Sequence, residues 1–368
     1  MYSDELLKYD FGPFHPLKPE RLSLTLELIK NLDLLNIPKS SLEPPRTADA
    51  DEILLFHTSE YVKHVRETSE NGQGTFDMGD TPVFRGCFEA SSIVVGATLK
   101  AIDLIMTGDF DHGFNPGGGL HHAHRDHASG FCIFNDAAIG IAYLKNHFGL
   151  KRIMYVDMDA HHGDGVMYGF YSDPSVLDID FHEDGHYLFP GTGQVSEIGE
   201  GNAEGLKINV PLPPLTSDTT FIYAFDRLVP RLAAKFKPEF VILQCGADAH
   251  RDDGLAHLGL TTRTYQHVAS TIHDISNEYS QGKALALGGG GYNLLNTARC
   301  WSIVYGVLTE ANLPEEIPVS WKSRFELVTG ENAPAKLRDN STELHGEKNR
   351  VRDNVVDTVR QIETIVRL

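Results

Sequence analysis

The chain has 368 residues, 41% of them hydrophobic, enough for one large α/β domain or two smaller ones with a sizeable core. Its formal net charge of -19 without any Lys/Arg cluster argues against general nucleic-acid binding, which needs a basic stripe; solubility accounts for an acidic surface, and attraction of basic protein segments or polyamines is the sharper alternative. No apolar stretch approaches the roughly 20 residues that span a bilayer, the opening Met-Tyr-Ser-Asp-Glu-Leu lacks an export signal core, and Cys87, Cys132, Cys245 and Cys300 are too scattered for a disulfide scaffold, so a reduced cytoplasm is expected.

Along the chain, Pro19 opens a segment in which Leu22, Leu26 and Ile29 recur at helical spacing, as suits proline in a helix's first turn. Residues 88–107 read as a helix stopped by Gly108, and 136–148 as one stopped by Gly149. Strands are expected at 152–157, 176–181, 239–245 and 283–287. Between the last two, Val268, Ile272, Ile275 and Tyr279 mark a helical face that ends at Gly282. Each strand is read as a short apolar run rather than an alternating one, the pattern of a parallel sheet covered on both faces. From 323 to 350 the chain is polar and turn-rich. Val351, Val355, Val359, Ile362 and Val366 then share one helical face, expected to dock on the same domain or else to bind a partner.

Polar residues collect where those strands stop. Residues 157–165 read Asp-Met-Asp-Ala-His-His-Gly-Asp-Gly directly after the apolar run Ile153, Met154, Tyr155, Val156. Asp180 and His182 end the second strand, Asp248 follows the third, and Tyr292 follows the glycine run after the fourth. In an open α/β sheet ligands sit at the carboxyl ends of the strands, so several ends converge on one site. Carboxylates and imidazoles there hold a cation better than they build a core. Asp159 and His161, two apart, point to the same side of an extended segment, and Asp248 could complete an Asp-His-Asp set of the kind that binds zinc while leaving a position for water. For any single member, capping or turn formation is the plain alternative.

A second cluster precedes it, from Asn115-Pro-Gly-Gly-Gly-Leu to His121-His122-Ala-His124 and on through Gly130-Phe131-Cys132. Two adjacent imidazoles beside a metal-bound water can manage its protons near neutral pH; alone, such a pair is more often a surface feature. The glycine runs 117–119 and 288–291 lack both the Lys-Ser/Thr of a phosphate loop and dinucleotide spacing. Close backbone approach to a narrow pocket accounts for them better.

Taken in order, Gly-Gly-Leu-His121-His122-Ala, Ala-Ser-Gly-Phe131-Cys, Asp157-x-Asp159-x-His161-His-Gly-Asp164-Gly, Phe189-Pro-Gly-Thr-Gly, Gly-Ala-Asp248 and Gly-Gly-Gly-Gly-Tyr292-Asn-Leu closely resemble the zinc-dependent histone deacetylase family over roughly residues 2 to 310. The compact length and Asp253-Gly-Leu-Ala-His-Leu look like its prokaryotic branch, the acetoin utilisation proteins. The resemblance implies a single arginase/deacetylase-type α/β domain, a central mostly parallel sheet with helices on both faces, and hydrolysis of an acyl-lysine amide in a protein or peptide. It sets a catalytic domain at 1–322, with 323–368 a polar connection and a C-terminal helix packed on it.

Carried over by the resemblance, Asp159, His161 and Asp248 are the zinc ligands. His121 and His122 form the proton-transfer pair, oriented by Asp157 and Asp164, and Tyr292 polarises the amide carbonyl. Phe131, Phe189 and Gly130 line the tunnel for the acyl-lysine, with Gly290 beside them and Asp80 at the rim; Arg21 belongs to an internal cavity. Asp157, Asp180 and Phe181 match an inner monovalent cation site, where potassium is expected as a structural ion. Three departures stand out. Asp180 replaces a serine of class I enzymes, Arg85 replaces an acidic residue, and His250-Arg-Asp-Asp-Gly differs after the third zinc ligand. Leu255 is apolar as in class I lysine deacetylases, where polyamine-specific relatives carry a glutamate. The alternatives to a protein lysine deacylase are an acetylpolyamine or other small-amide hydrolase and a catalytically silent acyl-lysine binding module. A binuclear manganese ureohydrolase shares the fold class but leaves the His pair and Tyr292 unexplained.

Overall fold

The computed structural model describes residues 1–38, 40–340 and 349–368. Its centre is one six-stranded sheet: β1 (His112–Asn115), β2 (Ile153–Asp157), β3 (Val176–Glu183), β4 (Lys207–Leu212), β5 (Phe240–Gln244) and β6 (Ala284–Leu287). Every pairing is parallel, in the order β1-β6-β5-β2-β3-β4. Every residue of β2, β3, β5 and β6 is buried. Successive side chains of a strand point to opposite faces, so both faces of the sheet are covered. The four expected strands are present. The two that the apolar-run pattern did not reveal, β1 and β4, are the edges, and they carry Gly113, Lys207 and Pro211 where an interior strand would carry branched apolar residues.

The helices are α1 (Glu20–Asn31), α2 (Ala50–Ile53), α3 (Ser59–Asn71), α4 (Cys87–Met106), α5 (Asp136–Phe148), α6 (Asp164–Gly169), α7 (Asp218–Phe236), α8 (Thr262–Tyr279), α9 (Leu294–Leu308), α10 (Val319–Thr329) and α11 (Asn349–Val366). The expected helices around 19–31, 88–107, 136–148 and 268–279 are α1, α4, α5 and α8. Helix α8 starts earlier than its apolar face, because the Thr261 side chain caps it by accepting the Arg263 N–H. Helix α4 packs on α5, and α7, α8, α9 and α1 pack in succession.

The expected polar, turn-rich stretch at 323–350 needs correcting at its start, where α10 runs to Thr329. Its composition disguised it, since only Trp321 and Phe325 are buried; the Trp321 indole donates to the Leu24 carbonyl at 3.0 Å. Residues 341–348 of that stretch lie outside the described residues. Helix α11 buries Val355, Val359, Ile362 and Val366 against α7 and the edge strand β4. Glu363 pairs with Arg227 and Arg231 of α7, so the helix covers a sheet edge that would otherwise offer unpaired backbone groups.

Candidate metal centre

The chain order reverses between β2 and β5: β3 and β4 extend the sheet to one side of β2, while β5, β6 and β1 extend it to the other. Such a switch point leaves a crevice beyond the strand ends. Asp159 and His161 leave β2 into it, and Asp248 leaves β5. Their ligating atoms all lie within 4.8 Å of one another and all three residues are buried. The His161 Nδ1 is 2.9 Å from Asp248 Oδ2 and 3.2 Å from Asp159 Oδ1.

Two carboxylates lie side by side in a buried site around His161. Burial and the neighbouring Asp159 push the Asp248 carboxyl up to about 7. Burial opposes charge on His161 as well, yet Asp159 and Asp248 raise it to about 10. Two carboxylates and one imidazole are the oxygen and nitrogen donor set of a metal site with open positions, so the residues fit a metal ion. Gln244 Nε2 and the Gly290 N–H orient Asp159 through its Oδ2 at 2.9 and 2.7 Å. A Cβ at Gly290 would lie 2.2 Å from Asp248 Oδ2, which explains a glycine there by contact rather than by turn geometry.

Beside the ligand set, His121 and His122 meet through their Nε2 atoms at 3.1 Å. Each has its own carboxylate on the other ring nitrogen: His121 Nδ1 lies 2.8 Å from Asp157 Oδ2, and His122 Nδ1 2.8 Å from Asp164 Oδ1. The two dyads differ in their surroundings. Burial disfavours the His121 cation, but Asp157 and Asp159 outweigh it and raise the group to about 10. Burial and then His121 lower His122 to about 4. The surroundings thus shift the two imidazoles in opposite directions. Tyr155 donates to Asp157 Oδ2 at 2.6 Å, and His124 Nε2 lies 3.2 Å from Asp164 Oδ2.

A cavity of about 20 Å³ links the groups; Leu17, His121, His122, Phe131, Asp159 and Tyr292 are among its walls. Phe131 stands edge-on to Tyr292 at 5.8 Å, and Phe189 edge-on to His122 at 5.1 Å. Gly130 and Phe131 both have positive φ, 51° and 69°. A Cβ on Gly130 would come within 2.6 Å of His122 and 2.9 Å of Phe189, closing the passage between them. The strained Phe131 is held from both sides, its N–H donating to Thr81 Oγ1 at 3.0 Å and its carbonyl accepting the Tyr9 hydroxyl at 2.7 Å. Burial, Asp248 and Asp159 push the Tyr292 phenol well above its usual range, so it remains a hydrogen donor.

Other expected site residues lie farther out. Asp80 is exposed, on a loop that touches the wall through His15: the His15 Nε2 is 3.1 Å from the Asp80 carbonyl and its ring 4.5 Å from Phe131. Leu255 stands partly in solvent, its N–H donating to Asp253 Oδ1 at 3.1 Å. Arg21 is buried beneath the second glycine run, donating to the Gly289 carbonyl at 2.6 Å and lying over Trp301. Asp180 is in register with Asp157 and accepts the Gly163 N–H at 2.7 Å, with His182 Nδ1 2.6 Å from its other oxygen. The Phe181 ring packs on Phe221 and Phe225, so only its backbone is available to an ion.

Sequence reading overlooked Gln244, Tyr155, His124 and Asp253 as parts of this site. Gln244 carried a signal, a polar residue closing the apolar run of β5. Asp253 carried none beyond its motif, yet its Oδ2 accepts the backbone N–H groups of Tyr292 and Asn293 at 2.8 and 3.0 Å.

The sequence matches the family described as Histone deacetylase domain over residues 15–308. It is 39% identical over 335 residues to the acetoin utilization protein AcuC of Bacillus subtilis (strain 168), covering 89% of this chain and 86% of that protein. It is 36% identical over 348 residues to AcuC of Staphylococcus aureus (strain MSSA476), covering 92% and 89%. The fold is similar to the crystal structure of an HDAC homolog complexed with SAHA, with a TM-score of 0.84 and 32% identity over 97% of this chain and 96% of that one. An HDAC homolog from Aquifex aeolicus gives a TM-score of 0.84 and 31% identity over 98% of both chains. The chain belongs to the histone deacetylase family of hydrolases, in the branch of the acetoin utilisation proteins.

Proposed function

We propose that this chain is a zinc-dependent deacylase that hydrolyses the side-chain amide of acetyl-lysine, or another acyl-lysine, in proteins and releases the carboxylate. The observation that carries the reading is the pair of His-Asp dyads beside one Asp-His-Asp set: His122 is 2.8 Å from Asp164 and His121 is 2.8 Å from Asp157. Asp159, His161 and Asp248 would hold the zinc, which would supply Lewis acidity to polarise the amide carbonyl and acidify a water.

The side chains manage the protons. With His122 Nδ1 held by Asp164, its Nε2 takes the proton of the attacking water and returns it to the leaving lysine amine. His121, oriented by Asp157, stabilises the charge that develops beside it. The Tyr292 hydroxyl donates to the oxygen of the former carbonyl as negative charge builds there. Phe131 and Phe189, separated by Gly130, enclose the apolar lysine stem; Gly290 lets the wall approach the ligands, Asp80 holds the substrate backbone at the rim, and Leu255 faces the entrance. Arg21 serves an internal cavity beyond the metal, and Asp157, Asp180 and the Phe181 backbone would hold a structural potassium ion. All four cysteines are free and buried, which supports work in the reducing cytoplasm.

The test is a panel of acyl-lysine peptides and acetylated polyamines given to the zinc-loaded protein. Zinc-dependent release of carboxylate from the peptides is expected; turnover of acetylspermidine in preference to every peptide overturns the reading.

A further inference from the structure

Two side chains at the start of α5 hold the backbone that carries the His pair. Asn135 and Asp136 are both fully buried. The Asn135 amide donates through Nδ2 to the carbonyls of His121 and Ala123 at 2.9 and 3.0 Å, so its two bonds bracket His122. The Asp136 carboxylate accepts the N–H groups that come just before the pair, that of Leu120 at 2.8 Å through Oδ1 and that of Gly119 at 3.1 Å through Oδ2. Residues 119–123 lie in neither helix nor strand, so these bonds, rather than a backbone ladder, satisfy their polar groups and set where the two rings stand.

Both side chains are themselves fixed. Asn135 Oδ1 caps α5 by accepting the Ala138 N–H at 2.9 Å, and the Asn135 N–H donates to His57 Nε2 at 3.0 Å. Asp136 Oδ2 also accepts the Thr98 hydroxyl of α4 at 2.6 Å, and Asn115 Nδ2 donates to that hydroxyl at 2.8 Å. The glycines around the clamp leave room for it: a Cβ on Gly118 would lie 2.4 Å from Asp136 Oδ2, and one on Gly165 of α6 would lie 2.5 and 2.4 Å from the carbonyl oxygens of His121 and Ala123. Helix α6 begins with Asp164, the partner of His122, so the clamped carbonyls are also the surface on which that partner's helix rests.

We propose that Asn135 and Asp136 are positioning residues for the proton-transfer pair, setting His121 and His122 through the backbone of residues 119–123. The inference rests on the deacylase reading above and adds two residues to it. Each ring is then held twice, at Nδ1 by Asp157 or Asp164 and at its backbone by the start of α5. A ring nitrogen that must reach a water proton tolerates little displacement, and an error of about 1 Å costs on the order of 10² in rate.

The experiment uses the zinc-loaded protein and an acetyl-lysine peptide. Asn135→Ser keeps a side chain that can cap α5 but loses both amide donors, and Asp136→Asn keeps one acceptor and loses the other. Each is expected to lower kcat by about 10-fold or more, with KM within about twofold of the parent and bound zinc unchanged. In a background without either imidazole, His121→Ala with His122→Ala, the same substitutions should change the residual rate by less than about twofold, because residues acting through one group are not additive; where that rate is too small to follow, the split between kcat and KM decides alone. A smaller fall in kcat in either folded variant, loss of zinc, a rise in KM that accounts for the lost rate, or the full fall in the background without imidazoles overturns the proposal. So does failure of both variants to fold, which would make the two residues supports of α5 alone. No zinc-dependent turnover of the peptide by the parent overturns the deacylase reading itself, and the inference with it.

Discussion

The Asp253 carboxylate joins the loop after the candidate metal ligand Asp248 to the backbone of Tyr292, accepting the Tyr292 N–H at 2.8 Å and the Asn293 N–H at 3.0 Å through Oδ2. Tyr292 follows four glycines, two of them, Gly289 and Gly291, at φ of 101° and 134°, a backbone that cannot hold a side chain in place alone. Its position is set from outside, by a side chain that is itself nearly buried.

Asp253→Asn is therefore expected to lower kcat by about 10-fold or more, since Tyr292 must meet the substrate oxygen to within a fraction of an ångström. Bound metal should be unchanged. In a Tyr292→Phe background the same substitution should add little, because residues acting through one group are not additive. Fully multiplicative losses would mean that Asp253 acts elsewhere.

Tyr292→Phe removes one hydroxyl at nearly constant volume. It is expected to lower kcat by about 10² or more, as loss of an oxyanion donor does, with metal content intact. Activity within a few-fold of the parent would reduce Tyr292 to a packing residue against Phe131.

Asp248→Ala should remove most bound zinc and nearly all amidase activity while the protein still folds, since β5 and its neighbours are held by apolar burial on both faces. Metal analysis by mass spectrometry checks it. Full zinc occupancy in the variant would refute the ligand assignment.

Much of this site was legible because its residues fall at strand ends that apolar runs announce. Asp159, His161, Asp248 and Tyr292 each follow such a run, and the structure brings the first three within 4.8 Å. Interior strands β2, β5 and β6 were legible for the same reason, being buried throughout and apolar up to the polar residue that closes β2 and β5, whereas β3 interleaves Asp178 and Asp180 with its apolar residues. Edge strands β1 and β4 were not, because Gly113, Lys207 and Pro211 interrupt their apolar runs, which an edge position tolerates. Helix α10 was hidden by a surface-facing composition, and Asp253 by the fact that its role is to hold a backbone N–H distant in sequence, which leaves no periodic trace.

The same loop is anchored at its other end by Asp339, which accepts from Arg299 Nη2 and from the N–H and hydroxyl of Thr262, at 2.8 to 2.9 Å, and lies 3.2 Å from His250 Nε2. Burial alone would raise this carboxyl, but the His250 hydrogen bond and Arg299 hold it far below the usual range. A carboxyl depressed in the folded state stabilises above its unfolded pKa of about 3.9 and loses that contribution as pH falls toward its folded value. Asp339→Asn should accordingly destabilise the protein at pH 7, by about 2 kcal/mol for the charged hydrogen bonds lost. The deficit should shrink in thermal melts taken progressively below pH 4. A deficit independent of pH would show that the charge of Asp339 is not what stabilises the fold.

Leu255 offers a test between acyl-lysine and acetylated polyamine as substrates. It is partly exposed, and its N–H donates to the Asp253 carboxylate that also accepts the Tyr292 N–H. An acetylpolyamine carries an internal ammonium that would have to leave water beside a leucine, with no partner to replace its hydration. The neutral stem of acetyl-lysine meets no such cost, and Phe131 and Phe189 favour it. Leu255→Glu places a carboxylate at that point, so the ratio of kcat/KM for acetylspermidine over an acetyl-lysine peptide should rise by ~1 to 3 kcal/mol, the scale of one charge-assisted contact. The rise should fade at high salt, since a contact at a half-exposed rim is screened. An unchanged ratio would make Leu255 a packing residue of the rim, and a parent enzyme that already prefers acetylspermidine would remove the case for a lysine substrate.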